Sequence, residues 1–179
     1  MSLIATVNAG IYTIRNFVNG PIRDDEGALG AKGNSPQEEL QWKIIRNANS
    51  TYTLQVYDPA NPGLAGTAAG GGQAISEVNK RYYVSVEGAE AAQWRLQPVL
   101  QGSNPQVLYA IYQDPRDNPG CETIGHWELN KNDKKEPVKL NRDPSDDENN
   151  PVPLNFTPIA LWVLDRIGEL NPGAGPGKY

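Results

Sequence analysis

The 179-residue chain holds one cysteine, one histidine, one methionine and two phenylalanines. A single thiol, Cys121, excludes an internal disulfide and fits a reducing compartment. With so little Phe and Met, a core has to be assembled from Tyr, Trp, Leu, Ile and Val. No apolar stretch approaches the length that crosses a bilayer. Met1 to Gly10 has neither a basic region nor a long apolar run, so no secretory signal is expected and a cytoplasmic location is. The formal net charge is −5 and no basic patch is visible. Nucleic acid and anionic membrane are therefore poor partners. Long helices are excluded as well. The 18 glycines and 15 prolines are spread along the whole length and interrupt every candidate. The best of these, Glu87 to Gln93, is short and contains Gly88.

What the chain does have is a rhyme. Leu40-Gln41-Trp42-Lys43-Ile44, Ala92-Gln93-Trp94-Arg95-Leu96 and Ala160-Leu161-Trp162-Val163-Leu164 share a pattern and hold three of the four tryptophans. Upstream of each lies a second one: Ile11-Tyr12-Thr13-Ile14, Thr51-Tyr52-Thr53-Leu54 and Leu108-Tyr109-Ala110-Ile111. Apolar residues two apart signal strands with one face buried. Leu40, Trp42 and Ile44 share a face, as do Ala92, Trp94 and Leu96. In the third copy Leu161 and Val163 make the second face apolar too, so that strand is expected to be covered on both sides.

Tyr12 to Trp42 spans 30 residues, Tyr52 to Trp94 spans 42, and Tyr109 to Trp162 spans 53. Repeats of roughly 40–50 residues holding about four strands suit a propeller blade or a trefoil lobe. Three blades do not close a propeller. The expectation is one all-β domain over residues 1–170, a β-trefoil of three four-stranded lobes at about 10–47, 50–99 and 106–167. The growth between repeats falls in loops. The Gly- and Pro-rich residues 171–179 read as a loose tail.

Gly10-Ile11-Tyr12-Thr13-Ile14-Arg15-Asn16, Leu40 to Ile44, Asn49 to Leu54 and Gln93-Trp94-Arg95-Leu96 resemble the mushroom protease inhibitors known as mycospins and mycocypins. The serine-protease branch, the mycospins, is the closer match, and the likeness runs from about Gly10 to about Ile167. Fungal trefoil lectins share the skeleton, including a Gln-x-Trp signature. Here Gln and Trp are adjacent, and the third copy has no Gln. The resemblance implies a reversible, tight-binding inhibitor that presents exposed loops to a protease cleft, most of all a serine protease. Pre-ordering such a loop is what converts a weak peptide into a tight ligand.

Three stretches are candidates. Gly20 to Gly33 resembles the mycospin inhibitory loop in place and length and holds Ile22, Arg23, Asp24, Gly27, Ala28, Leu29 and Lys32. Arg23 or Lys32 suits a trypsin-type pocket, and Leu29 a chymotrypsin-type one. The family's reactive position aligns with Gly27-Ala28, after Asp24, Asp25 and Glu26, and these acids oppose a trypsin-like pocket. A solvated turn is the plainer reading of such a run. Tyr57 to Ala74 places Asn61 where mycocypins hold the Asn that enters asparagine-specific cysteine proteases, although Asn61-Pro62-Gly63 is also an ordinary turn. Asn130 to Pro158 offers Lys134 and Lys135, beside an acidic run at 143–150 that lacks the Gly and Glu of an EF-hand.

No catalytic, metal or cofactor site is expected. Cys121 and His126, five apart on one strand, would face opposite sides. Glu122, His126 and Glu128 are a weak ligand set. His126 and Trp127 are expected on a strand from Thr123 to Leu129, one of them facing in. The alternative to inhibition is a carbohydrate-binding lectin using Tyr57-Asp58, Tyr82-Tyr83 and Tyr112-Gln113-Asp114. Phe17-Val18-Asn19 is a poor first-lobe counterpart to these.

Overall fold

The computed structural model describes residues 7–25, 28–30, 40–57, 69–76, 79–85, 92–99, 106–119, 124–129, 138–141 and 158–170. For 23–25, 28–30, 69–76, 79–85, 139 and 141 only the backbone is considered. In chain order the strands are β1 (Gly10–Asn16), β2 (Gly20–Pro21), β3 (Arg23–Asp25), β4 (Ala28–Gly30), β5 (Gln41–Arg46), β6 (Tyr52–Tyr57), β7 (Ala69–Ser76), β8 (Asn79–Ser85), β9 (Trp94–Val99), β10 (Leu108–Gln113), β11 (Gly125–Glu128), β12 (Lys139–Asn141) and β13 (Trp162–Gly168). A 3₁₀ turn, Pro158–Ala160, precedes β13. The protein is all-β and its strand pairs are antiparallel, with no α-helix among the described residues.

Six of these strands close a ring. Around it β1 pairs with β5, β5 with β6, β6 with β9, β9 with β10, β10 with β13, and β13 with β1. The ring strands are those that carry the Tyr and Trp rhymes. Their register repeats three times. Tyr12 lies opposite Trp42, Tyr52 opposite Trp94, and Tyr109 opposite Trp162. On its other side each tryptophan meets the residue four beyond a tyrosine: Trp42 meets Val56, Trp94 meets Gln113, and Trp162 meets Asn16. Every repeat thus advances the register by four residues, or twelve for the three repeats of the ring. Such a stagger tilts the strands steeply and leaves an interior that bulky side chains must fill.

The fourth tryptophan fills it. Trp127 lies edge-on to Trp42, Trp94 and Trp162, with ring centroids 6.0, 5.3 and 5.7 Å away. All four are fully buried. The indole N–H of Trp162 donates to the backbone oxygen of Trp127 at 3.0 Å, tying the third rhyme to the hub. Edge-to-face pairs contribute about 0.5–1.5 kcal/mol each beyond the area they bury. Ile14, Ile22, Ile44, Leu54, Ile111, Leu129, Val138 and Leu140 pack the same core.

Two of the three tyrosines, Tyr12 and Tyr52, are tied to the segment before β1. Tyr52 donates its hydroxyl to the oxygen of Val7 at 3.0 Å, and Tyr12 donates to Asn8 at 2.7 Å. Val7 is itself in the core. Gly10 then passes so close to β13 that a Cβ would lie 2.7 Å from Arg166 Nε and 3.0 Å from the backbone oxygen of Gly168. A side chain there requires Arg166 to swing aside and the closing strand to give by a few tenths of an ångström.

Outside the ring three hairpins meet, β3–β4, β7–β8 and β11–β12. The middle one joins the other two, through Ala28 opposite Ser85 and Lys139 opposite Tyr83. Here the structure departs from expectation. The Gly-rich run placed in the loop from Tyr57 to Ala74 is part of a strand. Gly71 and Gly72 lie opposite Tyr83 and Tyr82. Glycine carries no alternation of its own, and a partner with high strand propensity decides its conformation. The candidate helix at Glu87 to Gln93 falls mostly outside the described residues, and Ala92 and Gln93 are irregular. His126 and Trp127 are both buried, where one was expected to face in. The second apolar face of the third Trp strand is covered in part: Leu161 and Trp162 are fully buried, while Val163 is half-buried.

Trp127→Ala is expected to cost about 3–5 kcal/mol, since it empties the contact shared by three tryptophans. That is a large part of the roughly 5–15 kcal/mol that holds a domain folded. Trp127→Phe should cost clearly less. The urea midpoints of the two variants against the parent check the order.

Candidate functional site

The turns that leave the ring are fastened by asparagine side chains. After β1, Asn16 is almost fully buried. Its Oδ1 accepts from the backbone N–H of Val18 at 3.1 Å and of Asn19 at 3.0 Å. Its Nδ2 donates to the oxygen of Ile159 at 2.8 Å. The N–H of Phe17 donates to the oxygen of Leu161 at 2.9 Å, and Asn19 Nδ2 donates to the oxygen of Leu129 at 2.7 Å. Gly20 closes the turn at φ +74°, a conformation that glycine adopts without steric cost. Asn before such a turn satisfies backbone donors that no strand partner reaches.

After β10 the counterpart turn is fastened in a related way. Asn118 Oδ1 accepts from the N–H of Gln93 at 2.8 Å, and its Nδ2 donates to the oxygens of Gln93 and Asp114, each at 2.9 Å. One amide side chain thus serves both backbone groups of Gln93, as a neighbouring strand would. Both turns hold the residue just before a Trp strand, Leu161 in one case and Gln93 in the other.

The second turn is also charged. Arg116 forks onto Asp114, with Nε 3.0 Å from Oδ1 and Nη2 2.6 Å from Oδ2. Arg95 forks onto Asp117, with Nε 2.6 Å from Oδ2 and Nη2 3.0 Å from Oδ1. The hydrogen bonds from Arg116 hold the Asp114 carboxyl below the usual carboxylate range. Burial pushes the Tyr112 phenol up. Tyr112, Gln113 and Asp114 are all buried. With Asp114 paired to Arg116 and all three residues buried, the trio is turned to internal structure rather than outward as a platform for a sugar. Of the other aromatic candidates, Tyr57 is half-buried, with Lys43 Nζ 5.5 Å from its ring centroid.

The inhibitory-loop candidates separate into three groups. Ile22 requires correction. It is fully buried in the core and cannot enter a protease pocket. The registers explain why. Arg15 opposite Pro21 in the first repeat matches Tyr112 opposite His126 in the third, so Ile22 stands where Trp127 stands. Arg23, Asp24, Ala28 and Leu29 lie on the hairpin β3–β4, with Arg23 opposite Gly30, Asp24 opposite Leu29 and Asp25 opposite Ala28. The described part of this stretch is a paired hairpin, where the resemblance implies an exposed loop. Ala28 is paired on its second side to Ser85. Gly27, Lys32, Asn61, Lys134 and Lys135 lie outside the described residues, as do Cys121, Glu122, the acidic run at 143–150 and the tail at 171–179. Among the described residues no three His, Cys, Asp or Glu side chains group to hold a metal.

The asparagine fastenings were not anticipated from sequence. Their one local signal is an Asn within a Gly- or Pro-bearing turn, at the head of Asn16 to Gly20 and near the end of Asp114 to Pro119. His126 is buried, with its ring centroid 5.4 Å from that of Tyr112. Burial lowers its pKa from 6.5 to about 4. No protein-family model, curated protein or solved structure matches the chain.

Two predictions arise here. The unfolded chain protonates His126 near pH 6.5 while the folded protein resists until about pH 4. The contribution of the neutral buried ring is therefore full above pH 6.5 and is lost as pH falls towards 4. It amounts to about 3 kcal/mol at most. Urea unfolding from pH 7.5 to 4 should show this loss, and His126→Gln should flatten that part of the profile. Asn118→Ala strands both backbone groups of Gln93 and should cost about 1–3 kcal/mol in the same assay.

Proposed function

We propose that the chain is a β-trefoil protease inhibitor of the mycospin and mycocypin kind, acting on serine proteases from a cytoplasmic scaffold, with no catalytic activity of its own. Three Tyr–Trp strand pairs in threefold register, closing a six-stranded ring with three hairpins beside it, support the trefoil part. One observation carries the inhibitor part: the turn at 16–20 is bound back by hydrogen bonds from Asn16, Asn19 and Phe17 to the carbonyls of Ile159 in the 3₁₀ turn, Leu129 after β11 and Leu161 before β13. A turn held in this way loses little freedom when a partner closes on it, and that saving is what a tight reversible inhibitor requires. Rigid β scaffolds carry variable loops without cost to their cores.

The charges favour enzymes with an apolar rather than an acid-floored primary pocket. Asp24 and Asp25 follow Arg23 directly on β3, and the whole chain carries −5. Against the lectin alternative stands the internal engagement of Tyr112, Gln113 and Asp114.

Titration of trypsin, chymotrypsin, subtilisin, papain and an asparaginyl endopeptidase with the protein tests the reading. The expected outcome is reversible inhibition of chymotrypsin or subtilisin at or below micromolar protein, with trypsin affected least. Arg23→Ala should leave that inhibition within twofold of the parent. No loss of activity in any of the five at micromolar protein contradicts the proposal.

A further inference from the structure

Asn19-Gly20 is the only Asn-Gly pair in the chain, and it closes the fastened turn after β1. Phe17 and Val18 beside it are exposed, at 40% and 46%, so the turn lies at the surface, within reach of water. Asparagine before glycine is the pair at which a peptide loses a side-chain amide most readily. The glycine has no Cβ, so its backbone nitrogen approaches the asparagine side chain unhindered. That nitrogen forms a bond to Asn19 Cγ and the Cγ–Nδ2 bond breaks. The proton of the Gly20 N–H leaves with Nδ2 as ammonia, and a cyclic imide remains. Water then opens the imide. Breaking the bond from the Gly20 nitrogen to Cγ gives aspartate. Breaking the bond to the Asn19 carbonyl carbon gives isoaspartate, whose backbone is one carbon longer. Nothing is oxidised or reduced.

The fold restrains every group in this step. Nδ2, the leaving group, donates to the oxygen of Leu129 at 2.7 Å and to Asn16 Oδ1 at 3.3 Å. Gly20 is held opposite Asn16 in β2. Asn19 Oδ1 is buried and has no hydrogen-bond donor among the described residues. Attack at Cγ places negative charge on that oxygen, and a buried oxyanion without a donor is strongly disfavoured. The protection comes from these contacts and not from cover over the glycine. Where a Cβ of Gly20 would stand, no atom lies within 4 Å apart from its chain neighbours.

We propose that Asn19 is a deamidation site, protected while the turn is closed and reactive when it opens, whose products the fold cannot take back. In the aspartate product a carboxylate oxygen stands where Nδ2 stood, 2.7 Å from one carbonyl oxygen and 3.3 Å from another. Its second oxygen occupies the buried position that has no donor. A buried charge left so costs far more than an unpaired amide oxygen. Isoaspartate instead inserts a carbon between two fixed points, the Asn19 N–H on Asn16 Oδ1 and the pairing of Gly20 with Asn16. Opening of the turn is reversible until the amide is lost and irreversible afterwards. The pair thus records the time that the turn spends open, whatever the protein binds.

The test follows amide loss in the full chain at pH 8 in water labelled with heavy oxygen, native and in guanidinium chloride, by peptide mapping and mass spectrometry. In denaturant Asn19 should convert faster than any other asparagine and gain one labelled oxygen, with isoaspartate the larger product. In the native protein its conversion should be at least tenfold slower. Asn16→Ala, shown to be folded by near-UV circular dichroism, should raise the native rate several-fold. A native rate within twofold of the denatured one, or one that folded Asn16→Ala leaves unchanged, overturns the protection. The modified species is then separated after refolding by its extra negative charge on anion exchange. It should refold poorly or show a lower urea midpoint than unmodified chain from the same sample, with the amides of Val18 and Asn19 exchanging at least tenfold faster. Asn19→Asp should reproduce this, and Asn19→Ala, which removes the donor without adding charge, should lose less. A modified species that matches the unmodified one in midpoint and exchange overturns the claim that the fold rejects it.

Discussion

Trp127 is the side chain on which the rest of the structure depends. Three repeats of a strand pair bring three tryptophans to a common axis, and a ring with a twelve-residue stagger leaves a volume there that symmetry alone does not fill. One indole, contributed by the third repeat only, stands edge-on to all three. The asymmetry has a cost. The indole nitrogens of Trp42 and Trp127 are buried without a hydrogen-bond acceptor among the described residues. Each such group is worth about 1–3 kcal/mol against folding. The apolar area hidden by the four rings, roughly 150–250 Å² apiece, outweighs that.

From this hub the fixation passes outward by short steps. Trp162 is bound to the backbone of Trp127. Leu161, beside Trp162, accepts the N–H of Phe17, and Ile159 accepts from Asn16. Leu129, two residues beyond Trp127, accepts from Asn19. The turn at 16–20 is therefore anchored on both sides of the hub, which is why an exposed apolar pair can be held still. The conformational cost of that turn is met in folding.

How much of this the sequence discloses depends on whether the signal is local. Strand alternation is local, and Tyr12, Trp42, Tyr52, Trp94, Tyr109 and Trp162 lie in the order and on the strands that their spacing indicates. Trp127 shows no such pattern because its first-repeat counterpart is Ile22. An indole and a sec-butyl group fill equivalent positions, and no composition rule equates them. For the same reason Ile22 reads as a loop residue when only its neighbours Pro21 and Arg23 are considered. The glycines at 70–72 read as a loop because glycine has no side chain with which to alternate. The roles of Asn16 and Asn118 depend on carbonyls at residues 159 and 93, more than 20 residues away in either case, and a local reading sees only turn formers.

Native-state amide hydrogen exchange, followed residue by residue, tests the central claim that the hub holds the outer turn in place. If it does, the amides of Phe17, Val18 and Asn19 exchange as slowly as those of the ring strands β1 and β13, and Trp127→Phe speeds the turn and the ring together. Exchange of these three amides at the rate of an unstructured peptide, with the ring still protected, would contradict it.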